Sequence, residues 1–146
     1  METSMSTTDA GNGERMARRL GGKAQPDVSV VISDPSLPDN PLIFVSEEFE
    51  RHTGYPAGEA LGRNCRFLQG PGTDPRAVAA IRAAVEAETE ITVDILNYRK
   101  DGRPFWNRLR IRPLRDAAGS VRYFAGAQTP IEAADVLPRP VEALVD

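Results

Sequence analysis

Hydrophobic and polar residues alternate along three late stretches of the chain, the period of a strand with one covered face. Ile91, Val93 and Ile95 share one phase of the first stretch, Glu90 to Tyr98. Phe105, Leu109 and Ile111 share one phase of the second, Pro104 to Leu114, against Trp106, Arg108, Arg110 and Arg112 on the other. Phe124, Gly126 and Gln128 share one phase of the third, Val121 to Thr129. The turn Lys100-Asp101-Gly102 joins the first two as a hairpin, and Asp116 to Ser120 turns into the third. Two earlier stretches, Val28 to Ile32 and Leu42 to Val45, also read as strands, separated by the turn residues of Asp34 to Pro41. Val28 to Ile32 is apolar on both faces, so its phase is open.

Between these two groups of strands the pattern becomes helical and short. Ser46 is placed as the cap of SEEFERHT, with Glu47 and Glu48 in its first turn and Gly54 as its stop. Pro56 to Leu61 and Asn64 to Gln69 read as single helical turns, closed by Gly62 and by Gly70-Pro71-Gly72. A longer helix runs from Pro75 to about Ala87, capped by Thr73 or Asp74, with Pro75 at the favourable first position. Val78, Ile81, Arg82 and Val85 fall on one of its faces. Two strands, several short helices and three strands predict an α+β domain with a five-stranded antiparallel sheet and its helices on one face.

Three polar residues interrupt the inward phases. Asn97, Asn107 and Gln128, on three adjacent strands, point at one interior space. A buried amide without a partner costs about 1–3 kcal/mol. Either the amides satisfy one another, or they hold a flat ligand with polar edges. The helical side offers Arg66 and Gln69 one turn apart, and Arg82 on a core-facing helix position. Each arginine is open to an ion pair with a carboxylate or to a phosphate.

Composition narrows the class. The 146 residues suit one domain, with 40 % hydrophobic and 27 % charged residues. The core is placed at residues 27–130, with extensions at 1–26 and 131–146, and Glu14 to Leu20 reads as a short helix. A net charge of −3 and a pI near 5.3 give no bulk attraction to nucleic acid or an anionic membrane. Neither a signal peptide nor an apolar run of about 18 residues is present, so no membrane partner is expected. Cys65 is the single cysteine; a reducing cytoplasm is the expected location. The lone histidine, His52, is placed facing solvent with no role.

The segment Gly62-Arg63-Asn64-Cys65-Arg66-Phe67-Leu68-Gln69-Gly70-Pro71 resembles the signature of LOV domains, flavin-binding blue-light sensors of the PAS superfamily. DPSLPDNPLIFVSEEF and NYRKDGRPFWNRLRIRPLRD resemble the flanking family segments, so the likeness covers residues 28–130. The chain resembles a short LOV protein, a sensor core with small extensions.

The resemblance implies a role for each matched position. Cys65 is the photoactive thiol. Asn64 and Gln69 bond the ribityl chain, Arg66 and Arg82 the terminal phosphate, Asn97 and Asn107 the pyrimidine edge of the flavin. Gln128 faces flavin O4 and N5. Val31, Ser33, Asn40, Leu68, Val78, Ile81, Val85, Leu109, Ile111, Phe124 and Gly126 match wall positions. Blue light would join the Cys65 sulfur to flavin C4a and place a proton on N5, to which Gln128 answers by rotating its amide. The bond breaks thermally in the dark, which describes a reversible switch and not a turnover enzyme. Only Gly70 to Thr73 separate the cysteine helix from the Arg82 helix, with no insertion to wrap an adenine. FMN is therefore favoured over FAD, and two arginines awaiting a phosphate place riboflavin second.

Glu59 and Lys100 match family positions that form a surface ion pair. On the outward sheet face, Leu96, Tyr98, Trp106, Val121, Tyr123 and Ala125 are expected to form an apolar patch. A homodimer through this face, with the N-terminal extension taking part, is the expected assembly. The arginines at 108, 110 and 112 read as a solvated face, and the downstream protein is not named by the sequence.

Overall fold

The computed structural model describes residues 27–137. The helix expected at Glu14 to Leu20, and most of both extensions, lie outside the described residues. Five strands form one antiparallel sheet in the order β2-β1-β5-β4-β3. They are β1 (Ser29–Ser33), β2 (Leu42–Val45), β3 (Ile91–Tyr98), β4 (Pro104–Arg115) and β5 (Val121–Ile131). Between β2 and β3 lie α1 (Glu47–Thr53), α2 (Ala57–Ala60), a 3-10 helix (Cys65–Leu68) and α3 (Pro75–Glu86). This is the expected α+β architecture.

The register fixes which side chains share the inner face. Ile95 lies opposite Asn107, Leu109 opposite Gln128, and Val31 opposite Gly126. The phase of β1 is thereby settled: Ser29 and Ser33 face with Val31, while Ile32, of the other phase, is also fully buried. Both phases of that strand are covered, which is why its sequence shows no alternation. Beneath the sheet Val31, Leu42, Phe49, Ala60 and Leu68 pack into one cluster, and Ala77, Val93, Ile95 and Leu109 into another.

Local chemistry sets the helix ends. Gly54 sits at φ 78° and returns its N–H to the Glu50 carbonyl, a left-handed stop that favours glycine. Asp74 accepts from the Arg76 N–H at 2.8 Å and caps α3. Thr73 instead bridges to β3, its hydroxyl donating to the Leu96 carbonyl at 2.6 Å. Ser46 corrects the expectation of a side-chain cap. Its Oγ accepts from the Val30 N–H at 2.9 Å, tying the start of α1 to β1.

β5 runs two residues past its expected end, through Pro130 to Ile131. β1 pairs with β5 only as far as Gln128, so beyond that point β5 has β4 alone as a neighbour. The missing Pro130 N–H then leaves no second ladder incomplete. Residues 132–137 fold back across the outer face. There the Asp94 carboxylate, with its side chain 1 % exposed, accepts from Arg108 Nε at 2.9 Å and from the Leu137 N–H at 2.7 Å. Arg108 Nη2 also donates to the Asp135 carbonyl at 2.9 Å.

That pair sets charged groups among the apolar residues of the outer face. Leu96 and Tyr98 are covered in part by the Gly70–Thr73 loop, where the Gly72 N–H donates to the Tyr98 hydroxyl at 2.7 Å. Ala125 is buried, while Trp106, Val121 and Tyr123 stay half-buried. Arg110 pairs with Glu90 at 2.6 Å, in keeping with a charge-balanced face. The surface pair Lys100–Glu59 forms at 2.8 Å, as the resemblance implies. His52 is half-buried rather than solvent-facing, and burial is the main cause that lowers its pKa.

Candidate functional site

The helices and the inner sheet face enclose a cavity of about 490 Å³, within the range of small-molecule sites. β1 contributes Val31 and Ser33, β4 Leu109 and Ile111, and β5 Phe124, Gly126 and Gln128. Val78, Ile81, Arg82 and Val85 reach it from one face of α3. Asn64, Cys65, Arg66 and Gln69 reach it from the 3-10 helix and its flanks, Asn97 from β3, and Asn40 from the β1–β2 turn. A side chain at Gly126 would press on Val31 at 3.0 Å, so glycine there keeps the floor open.

Two sequence-predicted residues stand behind the wall. Leu68 is fully buried in the apolar cluster under Phe49 and Leu42, and does not line the cavity. Its core-facing position on the 3-10 helix supports the backbone that carries Cys65. Asn107 also lies behind the lining, donating from Nδ2 to the Asn97 Oδ1 at 2.9 Å. The amides therefore partly satisfy one another. They do not do so fully: the buried Oδ1 of Asn107 has no hydrogen-bond partner, nor has that of Asn40. Each unmet acceptor costs about 1–3 kcal/mol, which a hydrogen-bond donor that reached it would recover.

The turn that presents Asn40 owes its shape to two consecutive left-handed residues, Asp39 at φ 68° and Asn40 at φ 49°. Asp and Asn tolerate that region better than most residues. Asn64 locks the turn to the 3-10 helix, with Nδ2 donating to the Asp39 carbonyl at 2.8 Å. Its Oδ1 accepts from the Arg66 N–H at 3.0 Å and so caps the helix that carries Cys65. One side chain thus positions the thiol against the turn.

Cys65 is half-buried on the wall. Gln128 Nε2 approaches its sulfur at 3.7 Å. Burial raises the thiol pKa from its usual 9.0 to about 11, opposed by the Gln128 contact. At neutral pH the sulfur is a protonated thiol and a weak nucleophile. An added driving force is needed before it reacts.

The exposed rim has a different character. Arg66 binds Asp39 through two bonds, Nη1 to Oδ2 at 2.7 Å and Nη2 to Oδ1 at 2.6 Å. The bonds to Arg66 hold the Asp39 carboxyl below the usual carboxylate range. Arg82 is exposed at the rim rather than facing the core, and has no ion-pair partner among the described residues. Sequence reasoning missed Pro35, Leu37, Asp39, Leu42, Glu86, Ile95 and Ala125 as lining residues, the last having been expected on the outer face. Asp39 reads in the sequence only as turn chemistry, and Glu86 lies one residue past the apolar face of α3. Ser29 lies outside the lining, but its fully buried hydroxyl has no partner and it lies opposite Gln128 in the β1–β5 register. The undetermined phase of β1 hid it.

A family model described as a PAS domain matches residues 27–131. A light-oxygen-voltage domain structure concerned with a flavin analogue superposes with a TM-score of 0.74 at 44 % identity, covering 89 % of each chain. The LOV domain from the Erythrobacter litoralis blue-light activated histidine kinase is 47 % identical, with a TM-score of 0.68 over 70 % of this chain and 94 % of that one. The chain belongs to the LOV branch of the PAS family. A blue-light-activated histidine kinase of Brucella anthropi is 54 % identical over 99 residues, which are 68 % of this chain. This LOV chain spans only 20 % of the length of that relative. Among the described residues no helix is long and apolar enough to cross a membrane, and no cluster of three metal-ligating side chains forms.

Proposed function

We propose that the chain is a blue-light photoreceptor that holds FMN in the cavity and switches reversibly through Cys65. The observation that carries the reading is the approach of Gln128 to the lone thiol on the wall of a cavity that is also lined by Asn40, whose buried amide oxygen has no partner. The Asn107 and Asn40 oxygens suit the donors of a flavin's polar edge and side chain. The exposed guanidiniums of Arg66 and Arg82 suit a terminal phosphate at the rim.

A flavin held by Asn64, Gln69, Asn97 and the rim arginines would supply a light-driven acceptor for the Cys65 thiol, and the chemistry would reverse thermally in the dark. Cys65 contributes sulfur and proton, and stays inert in the dark because its pKa of about 11 keeps it protonated. Gln128 carries both a donor and an acceptor, so rotating its amide matches a neighbouring group that has gained a proton. The change is then passed to β5, whose next residues lead to 132–137. Sensing, rather than turnover, is the role; the histidine kinase activity named for the Brucella relative belongs to a longer chain, of which the matched segment is 20 %, and is not proposed here. We assign signalling to the outer face and the terminal extensions, with a second copy of the chain as partner.

The cofactor reading is tested by mass spectrometry of the chromophore released from purified protein. FMN as the principal species is expected; a chromophore that is not a flavin overturns it.

A further inference from the structure

The rim of the cavity balances its charges. Arg66 and Arg82 contribute two cations, and Asp39 and Glu86, which line the same cavity, contribute two anions. A site built only to hold a phosphate would leave its cations unopposed. Here the terminal edge of the Arg66 guanidinium is already occupied by both Asp39 oxygens, at 2.7 and 2.6 Å. A phosphate oxygen must share Arg66 through its remaining N–H groups or displace a bonded carboxylate, and it meets the Asp39 charge in either case. Arg82 alone is offered without a partner among the described residues.

We propose that Asp39 is a specificity-determining residue that restrains the site's preference for phosphorylated over unphosphorylated flavins by competing with the phosphate for Arg66. Glu86 adds a weaker restraint of the same sign through charge alone, since it makes no ion pair among the described residues. The inference rests on the flavin reading and extends it: the rim admits riboflavin as well as FMN, and the balance between them is set by acidic rather than basic side chains. The Arg66–Asp39 pair is exposed on both sides, and exposed pairs are individually weak. The restraint is therefore graded rather than absolute.

The test is titration of flavin-free full-length protein with FMN and with riboflavin, read by quenching of flavin fluorescence. Asn tolerates the left-handed backbone that Asp39 adopts, so Asp39→Asn keeps the turn. The ratio of riboflavin Kd to FMN Kd is expected to rise about five- to tenfold in Asp39→Asn. Glu86→Gln is expected to raise it by about twofold. A ratio that stays constant in Asp39→Asn overturns the proposal. A ratio that falls also overturns it, and would make Asp39 a residue that aims Arg66 at the phosphate. Wild-type protein that binds neither flavin defeats the flavin reading itself, a separate result from a constant ratio.

Discussion

Removing the Arg82 side chain leaves Arg66, already engaged by Asp39, as the remaining cation at the rim. Charge-assisted hydrogen bonds contribute roughly 1.5–3 kcal/mol. Arg82→Ala is therefore expected to weaken FMN binding by about tenfold or more while leaving riboflavin nearly untouched. Equal loss of both flavins, measured by titration, would take the phosphate role from Arg82. At this scale the sequence located most of the site. Asn97, Asn107 and Gln128 are visible because polar residues stand out in an apolar phase. The Cys65 segment stands out because its ten residues are so specific. The exposed rim was harder. Whether Arg66 meets a carboxylate or a phosphate depends on Asp39, 27 residues away in sequence. No local pattern reports that pairing.

At the scale of elements, the Asp94–Arg108 pair is a two-bond polar tie outside the cavity. The Asp94 carboxylate is almost wholly buried and holds both β4 and the returning segment 132–137. Hydrogen bonds to a charged group contribute roughly 1.5–3 kcal/mol. Asp94→Ala is expected to lower stability by about that amount, since the Arg108 guanidinium it leaves behind is 35 % exposed and regains water. It is also expected to release residues 132–137 from the sheet face. Hydrogen exchange at the Leu137 amide reads the second effect directly, and an unchanged exchange rate would show that Asp94 does not hold the segment. The strands and α3 were legible from periodicity, caps and turn residues. The fold-back at 132–137 was not, because it depends on one carboxylate in β3, with no apolar period of its own. The Pro130 boundary misled for a related reason. A proline is compatible with a strand where no neighbour lies on its N–H side, and β1 has already ended before Pro130.

For the whole molecule, the proposed readout of a light-driven change is the outer face. Trp106, Val121 and Tyr123 remain half-buried there, and the row Asp94, Arg108 and Thr129 crosses the sheet beside Leu109 and Gln128. A homodimer through this face predicts a concentration-dependent sedimentation coefficient that Trp106→Glu abolishes, because a charge would be buried at the contact. Wild-type protein that stays monomeric at high concentration, in darkness and in blue light, contradicts the dimer. The central claim concerns the cavity and its thiol. It is tested most directly by the visible absorption of purified wild type and Cys65→Ala before and after blue light, without added reductant. The account predicts a flavin band in both proteins, lost on illumination and regained in darkness only in the wild type. A wild type whose band does not bleach, or a Cys65→Ala variant that bleaches and recovers in the same way, would contradict it.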